Sequence, residues 1–387
     1  MENSGYWKGG RVLAGGRLRR LDVAVERGRV VSLSEAYCND KKLPEVDCAG
    51  GILLPGFLDL HTHGAAGVDV NAADAEGLRT IGRFFASQGV TGWLCSILTD
   101  TREQTLKCIG AARQVIEGGP YGGAALLGIH LEGPCLSVQY KGAMPEHLLM
   151  QEADFSLFAE YQRAAGGHVK YVTLSPEIPG AAALIPRLTG ELGMVCAMGH
   201  SGAGYDAAMA CVAAGVRSAT HLGNAMRLFH QHDPAIFGAA LESGVYVEAI
   251  CDGRHLHPGT VRLYLKAKGY DRVVAVTDSI MAAGLPDGRY KLGVNDVVVE
   301  DGDAKLLNGV RAGSTLTMAR ALRNLMAFTG RGPEGVSPLL SANPAALMGW
   351  TDKGEIAVGR DADLVLLDGE NNVVRTAVGG GTVYNKE

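Results

Sequence analysis

The chain has 387 residues, 47% of them hydrophobic and 20% charged, a composition that buries a sizeable core and excludes a disordered polypeptide. A net charge of −5 without any Lys/Arg stripe excludes a nucleic-acid partner, and no run of about 18 apolar residues is present to cross a bilayer. The eight cysteines are scattered without a Cys-x-x-Cys pair and the N-terminus lacks an apolar signal core, so reduced thiols and a cytoplasmic location are expected.

In chain order, the segment from Arg11 to Leu54 consists of short β-prone runs cut by turn residues: RVLAGG, LDVAVERGRVVSL and EVDCAGGILL. The far end repeats the style from Gly354 to Tyr384, with EIAVGRDADLVLLD and VVRTAVGGGTVY. Both termini are therefore expected to build one small β-sandwich domain, residues 1–54 and 355–387. Residues 55–354 carry eight apolar runs in order: GILLPGFLDLHTH, TGWLCSILTD, ALLGIHLEGP, VKYVTLSPE, MVCAMGH, SATHLGN, YVEAICDG and VVAVTDS. Most are followed by a helical pattern, such as AEGLRTIGRFFASQG or TLTMARALRNLMAF. Eight strand-then-helix units predict an α/β protein with a (β/α)8 TIM-type barrel. In the sixth connection, RLFHQHDPAIFGAALESG, only the second half reads as helix, and an open doubly wound sheet is the alternative.

Polar residues stand where the apolar runs end, which in a barrel is the face that carries active sites. They are His61 and His63, Glu132, His200, His221 and Asp278. Strand alternation sends residues two apart to one face, so both imidazoles of His61-Thr62-His63 are expected to point inward. One such histidine alone reads as a hydrogen-bonded interior residue. Four on successive strand ends, with two carboxylates and no thiolate, predict a catalytic divalent-metal site, with Zn2+ the first choice and Fe2+, Co2+ or Mn2+ the alternatives. Asp278, in AVTDS, is the expected proton-transfer group; a helix N-cap is the competing reading of Asp-Ser at that place. Ser201, after His200, lacks the surroundings of a nucleophile elbow and reads as a loop residue.

Together PGFLDLHTHG, HLEGP, GHS, THLGNAM, DGRHLHP, VTDSIMAAGLPDG and AGSTLTMARALRNL resemble the N-acetylglucosamine-6-phosphate deacetylases of the amidohydrolase superfamily, over nearly the whole chain. The resemblance implies removal of the acetyl group from N-acetylglucosamine 6-phosphate to give glucosamine 6-phosphate and acetate. It implies Glu132, His200 and His221 as the primary metal ligands, His61 and His63 as holders of a second ion, so one or two ions per subunit, and Asp278 as general base and acid beside the metal. His130 is expected to pack behind the ligands. Asn224, Ala225 and His255 correspond to contacts at the phosphate end, with Gly223 a glycine turn beside them, and Met318 to a residue near the acetyl group. Two departures stand out: His232 replaces the arginine that usually reaches the phosphate from a neighbouring subunit, and Ala143-Met144 stands where a sugar-contacting histidine follows the alanine. Arg227 and Arg254 are placed to compensate, and a homodimer is implied. These departures leave N-acetylgalactosamine 6-phosphate or an unphosphorylated N-acetyl amino sugar as alternative substrates. A non-catalytic sugar-phosphate-binding protein is the alternative of another class.

Overall fold

The computed structural model describes residues 3–386. The eight apolar runs form parallel strands at Phe57–Asp59, Val90–Leu98, Ala125–Glu132, Val169–Leu174, Val195–Met198, Ser218–Ala219, Tyr246–Ile250 and Val273–Val276, hydrogen-bonded in that order. The ring closes just beyond the ends of the first and eighth strands. There Asp278 N–H donates to the His61 carbonyl at 2.8 Å, His63 N–H donates to the Ser279 carbonyl at 2.7 Å, and Thr62 bridges Ser279 in parallel. One layer below, the Thr277 hydroxyl donates to the buried Asp59 carboxylate at 2.6 Å, and burial pushes that carboxyl up to about 6. The fold is thus the expected (β/α)8 barrel.

A helix follows each strand: Ala75–Ser87, Arg102–Glu117, Phe155–Ala164, Ala181–Leu192, Tyr205–Ala214, Ala235–Glu242, Pro258–Lys268 and Met318–Thr329. Asp74, Thr101, Asp154 and Thr317 cap four of them by accepting from backbone N–H groups of the first turn. Each buries an apolar stripe, Leu78, Ile81 and Phe85 in the first, and the Phe85 ring meets the fully buried Trp93 edge-on at 5.3 Å, which locks that helix to the second strand. In the sixth unit only Ala235–Glu242 is helical; the exposed stretch from Arg227 to His232 before it is loop.

Both termini join one eight-stranded sheet with its own core, containing Trp7, Val23, Leu53 and Leu364. Its strand Ile52–Pro55 runs almost directly into the first barrel strand, so the terminal sheet anchors the segment that carries His61 and His63.

A further element was not anticipated from the sequence. After the eighth strand the chain makes a three-stranded antiparallel sheet, Gly288–Leu292, Asn295–Glu300 and Asp303–Leu306. Its second turn is Asp301-Gly302, with φ of 52° and 76°, the left-handed pair that a two-residue hairpin of this twist demands. The sheet packs Leu292, Val297 and Val299 onto Leu98, Leu136, Met144 and Ile280 at the rim of the barrel.

Candidate active site

His61, His200, His221 and Asp278 each stand two residues past the last paired residue of their strands, and Glu132 is the final residue of its own. At three of these points the backbone turns out of the sheet through the left-handed region: φ is 47° at His200, 29° at His221 and 48° at Asp278. For residues other than glycine this costs on the order of 1 kcal/mol or more each, and the surroundings hold it in place. Ser314 N–H donates to the Asp278 carbonyl at 2.7 Å, Ser175 Oγ to the His200 carbonyl at 2.6 Å, and His221 N–H to Glu248 Oε2 at 3.1 Å. The strained turns aim the side chains inward at one point.

Glu132 is at the centre of that point. Its Oε1 lies 3.1 Å from His200 Nε2, 3.2 Å from His221 Nε2 and 3.2 Å from His61 Nε2, and its Oε2 lies 3.2 Å from His63 Nε2. Asp278 Oδ1 is 3.2 Å from His63 Nε2 and 3.6 Å from His61 Nε2. The donor atoms form two clusters that share one carboxylate, His61-His63-Glu132 and Glu132-His200-His221.

The outward ring nitrogens fix the tautomers. His63 Nδ1 faces the Ser96 carbonyl at 3.0 Å and His200 Nδ1 the Tyr140 carbonyl at 2.9 Å; since a carbonyl only accepts, both nitrogens carry their protons there. His61 Nδ1 is held by Glu248 Oε2 at 3.1 Å, and Glu248 Oε1 accepts from the Tyr171 hydroxyl at 2.7 Å. His221 Nδ1 is buried without a partner among the described residues, and this histidine is set from its backbone by the same Glu248. One fully buried carboxylate therefore steadies a ligand of each cluster.

With the Nδ1 protons of His61, His63 and His200 turned outward, Nε2 faces Nε2 at 3.2 Å for His61 and His63 and at 3.1 Å for His200 and His221. Lone pairs opposed across such distances and aimed at carboxylate oxygens call for a cation between them. The field of the two carboxylates favours positive charge at this point. Burial alone disfavours charge on the imidazoles, yet Glu132 and Asp278 draw His61 well above its ordinary value and, with Asp278 foremost, His63 to about 9. Burial pushes the two carboxyls up, and the facing imidazoles still draw Glu132 well below, and Asp278 below, the usual carboxylate range. The donor set of nitrogen and carboxylate oxygen fits a divalent metal of the zinc class. His130 is no part of it: its ring is clamped between Ser96 Oγ and Thr173 Oγ1, both at 2.9 Å, and burial followed by the nearby His61 keeps it neutral. Ser201 donates to Glu177 at 2.6 Å.

The cluster forms the floor of a cleft of about 300 Å³. Asn224, Ala225, His255, Ala143 and Met144 line its walls, as does Arg311 from the inserted sheet. Met144 is also packed into the apolar cluster beneath that sheet. Three of the expected substrate contacts are not brought to the cleft wall. Met318 is buried in the barrel core at the start of its helix, Arg227 is exposed and paired with Asp233, and His232 is exposed on the same loop. Arg254 donates to the Asp301 carbonyl. Gly223 has φ of 88°, and a Cβ there would fall 2.6 Å from the Tyr264 hydroxyl, so the turn before Asn224 requires glycine. Its N–H points to Met226 Sδ at 3.4 Å. The sequence reading missed Arg311, Glu248 and Tyr171.

The model of the amidohydrolase family matches residues 52–383. The chain is 34% identical to the N-acetylglucosamine-6-phosphate deacetylase of Lysinibacillus sphaericus, over 92% of each chain. It is 36% identical to the human protein of that name, over 97% of this chain and 95% of the relative. Among solved structures, the deacetylase of Thermotoga maritima superposes with a TM-score of 0.89 at 34% identity, covering 98% of this chain and 100% of the other. A mutant of the Mycobacterium smegmatis deacetylase, in complex with N-acetyl-D-glucosamine-6-phosphate, superposes with a TM-score of 0.91 at 31% identity, covering 99% of this chain and 100% of the other.

Proposed function

The chain belongs to the amidohydrolase family, among its N-acetylglucosamine-6-phosphate deacetylases, and we propose that it hydrolyses the N-acetyl group of N-acetylglucosamine 6-phosphate to acetate and glucosamine 6-phosphate. The observation that carries this reading is the convergence of four imidazole Nε2 atoms and two carboxylates on the floor of a cleft wide enough for a sugar.

Glu132, His200 and His221 would hold a divalent cation, and His61 and His63 with Glu132 could hold a second. Zn2+ suits these donors best, with one or two ions per subunit. A divalent cation held there supplies Lewis-acid polarisation of the acetyl carbonyl and a water acidified to near neutrality. Asp278, ionised at neutral pH, takes the water proton as the acetyl carbon is attacked, then passes it to the amide nitrogen so that the sugar leaves as a free amine. Its backbone, tied to His61 and Ser314, keeps the carboxylate aimed at the cluster during both transfers. At the other end Asn224, the Ala225 amide and His255 receive the phosphate, while Ala143 and Met144 close the apolar side of the sugar.

The reaction is tested with metal-replete protein and N-acetylglucosamine 6-phosphate. Acetate and a primary amine are expected in equal amounts; absence of acetate from protein that carries its metal overturns the reading.

The eight cysteines are free, seven of them buried, which agrees with a reducing cytoplasm. Among the described residues no helix is long and apolar enough to cross a membrane. Leu228 and Phe229, 59% and 57% exposed on the loop that bears His232, support a homodimer in which a second copy covers them. Light scattering is expected to give twice the chain mass, and a monomeric mass at micromolar concentration removes the dimer.

A further inference from the structure

The geometry points to Arg311 as the residue that selects for the 6-phosphate, its guanidinium reaching the anion from the inserted sheet at the His255 end of the cleft. The inference rests on the deacetylase reading above.

A phosphate dianion brought into a cleft walled by Met144, Leu292, Val310 and Ala312 loses water and must recover that loss from donors on the wall. Arg311 is the one arginine or lysine among the described residues that line the cleft. The two arginines close in sequence to the phosphate contacts are engaged elsewhere, Arg227 with Asp233 and Arg254 with the Asp301 carbonyl. The positive charge that the His232 position no longer supplies as an arginine therefore has one source on the wall itself.

The guanidinium is held ready. Arg311 Nε and Nη2 donate to the two oxygens of Asp303 at 2.9 and 3.1 Å, which orients the planar fork, and Nη1 has no partner among the described residues. Asp303 is buried and also receives Lys305 Nζ at 2.9 Å, so two cations share this one carboxylate. The Arg311 side chain is 43% exposed, open enough to meet a ligand.

Its position along the cleft follows from His255. Asp252 holds His255 Nδ1 at 2.7 Å and leaves the Nε2 edge to the cleft. Arg254, next in sequence to His255, donates to the Asp301 carbonyl, two residues before the Asp303 that holds Arg311, so the His255 loop and the Arg311-Asp303 pair meet at one hairpin. Imidazole and guanidinium thus line the same cleft above the metal ligands on its floor. A guanidinium with one edge fixed and another free suits a phosphate oxygen better than an ammonium on a flexible stem.

The test is Arg311→Met, assayed on N-acetylglucosamine 6-phosphate and on unphosphorylated N-acetylglucosamine. The ratio of kcat/KM for the phosphorylated over the plain sugar is expected to fall about 10- to 100-fold, the effect of one charge-assisted hydrogen bond. The loss should appear mainly in KM, and Arg311→Lys should recover part of it. An unchanged ratio in a parent enzyme that prefers the phosphorylated sugar overturns the role of Arg311 and leaves the deacetylase reading standing. Equal losses on both sugars also overturn it, because that pattern marks a structural role for the Arg311-Asp303 pair. A parent that does not discriminate between the sugars removes the phosphate specificity itself, and the inference with it.

Discussion

Asp278→Asn is expected to lower kcat by about 10²- to 10⁴-fold while KM and bound metal stay close to the parent values. The substitution preserves shape and keeps a residue type that tolerates the left-handed backbone, so φ of 48° at this position adds no new strain. What it removes is the ability to take a proton. The carboxylate is 3.2 Å from His63 and is held ionised by His61 and His63 against the effect of burial; a carboxamide offers an oxygen in the same place without basicity. With Oδ1 at 3.2 Å from His63 Nε2, Asp278 is also placed to serve as a metal ligand, and the two roles separate in this variant. Loss of kcat with metal retained marks the proton path, whereas loss of both marks ligation. Undiminished turnover removes Asp278 from the mechanism and takes the hydrolytic proposal with it.

The parts of this protein that were legible in the sequence share a physical cause. Barrel strands are buried on both faces, so they read as continuous apolar runs, and the polar residues that follow each run mark the rim. His61, His200, His221 and Asp278 stand at that rim and were found there. The inserted sheet was not, because its strands Gly288–Leu292, Asn295–Glu300 and Asp303–Leu306 bury only one side and alternate polar with apolar residues, a weaker signal within a chain already read as strand-then-helix. A clue was present in the Asp-Gly dipeptide at 301–302, the commonest mark of a tight hairpin. Arg311 was overlooked with it, since its place on the cleft wall depends on that sheet.

Glu248 shows a second limit. In YVEAI it is the one charge within a run that reads as a barrel strand; the strand is fully buried, and a charge inside a barrel must have partners. Those partners, His61, Tyr171 and the His221 amide, come from three other strand units, and no local pattern announces them. The same holds for the loop from Arg227 to His232. Sequence proximity to Asn224 suggested that Arg227 serves the phosphate, whereas the fold turns it outward to Asp233.

Glu132→Ala tests whether the two halves of the metal site are one unit. The carboxylate contacts all four imidazoles, Oε1 three of them and Oε2 the fourth, so its removal takes away the one anion common to both clusters and leaves only Asp278, which faces His61 and His63. Loss of an outer partner of a metal ligand costs about 10- to 100-fold in affinity, and loss of the shared ligand should cost more than that at both positions. Metal analysis of the purified variant is expected to find neither position filled, with kcat/KM down by about 10³-fold or more, the equivalent of about 4 kcal/mol. Thermal unfolding supplies a readout independent of turnover. Metal at a hundredfold excess over its Kd stabilises the parent by about 2.7 kcal/mol, and the variant should gain nothing measurable from the same addition. His63→Ala, by contrast, leaves Glu132, His200 and His221 intact and should keep one ion and part of the activity. If Glu132→Ala retains its full complement of metal, the histidines bind without the carboxylate, and the two clusters are independent sites rather than one centre built around it.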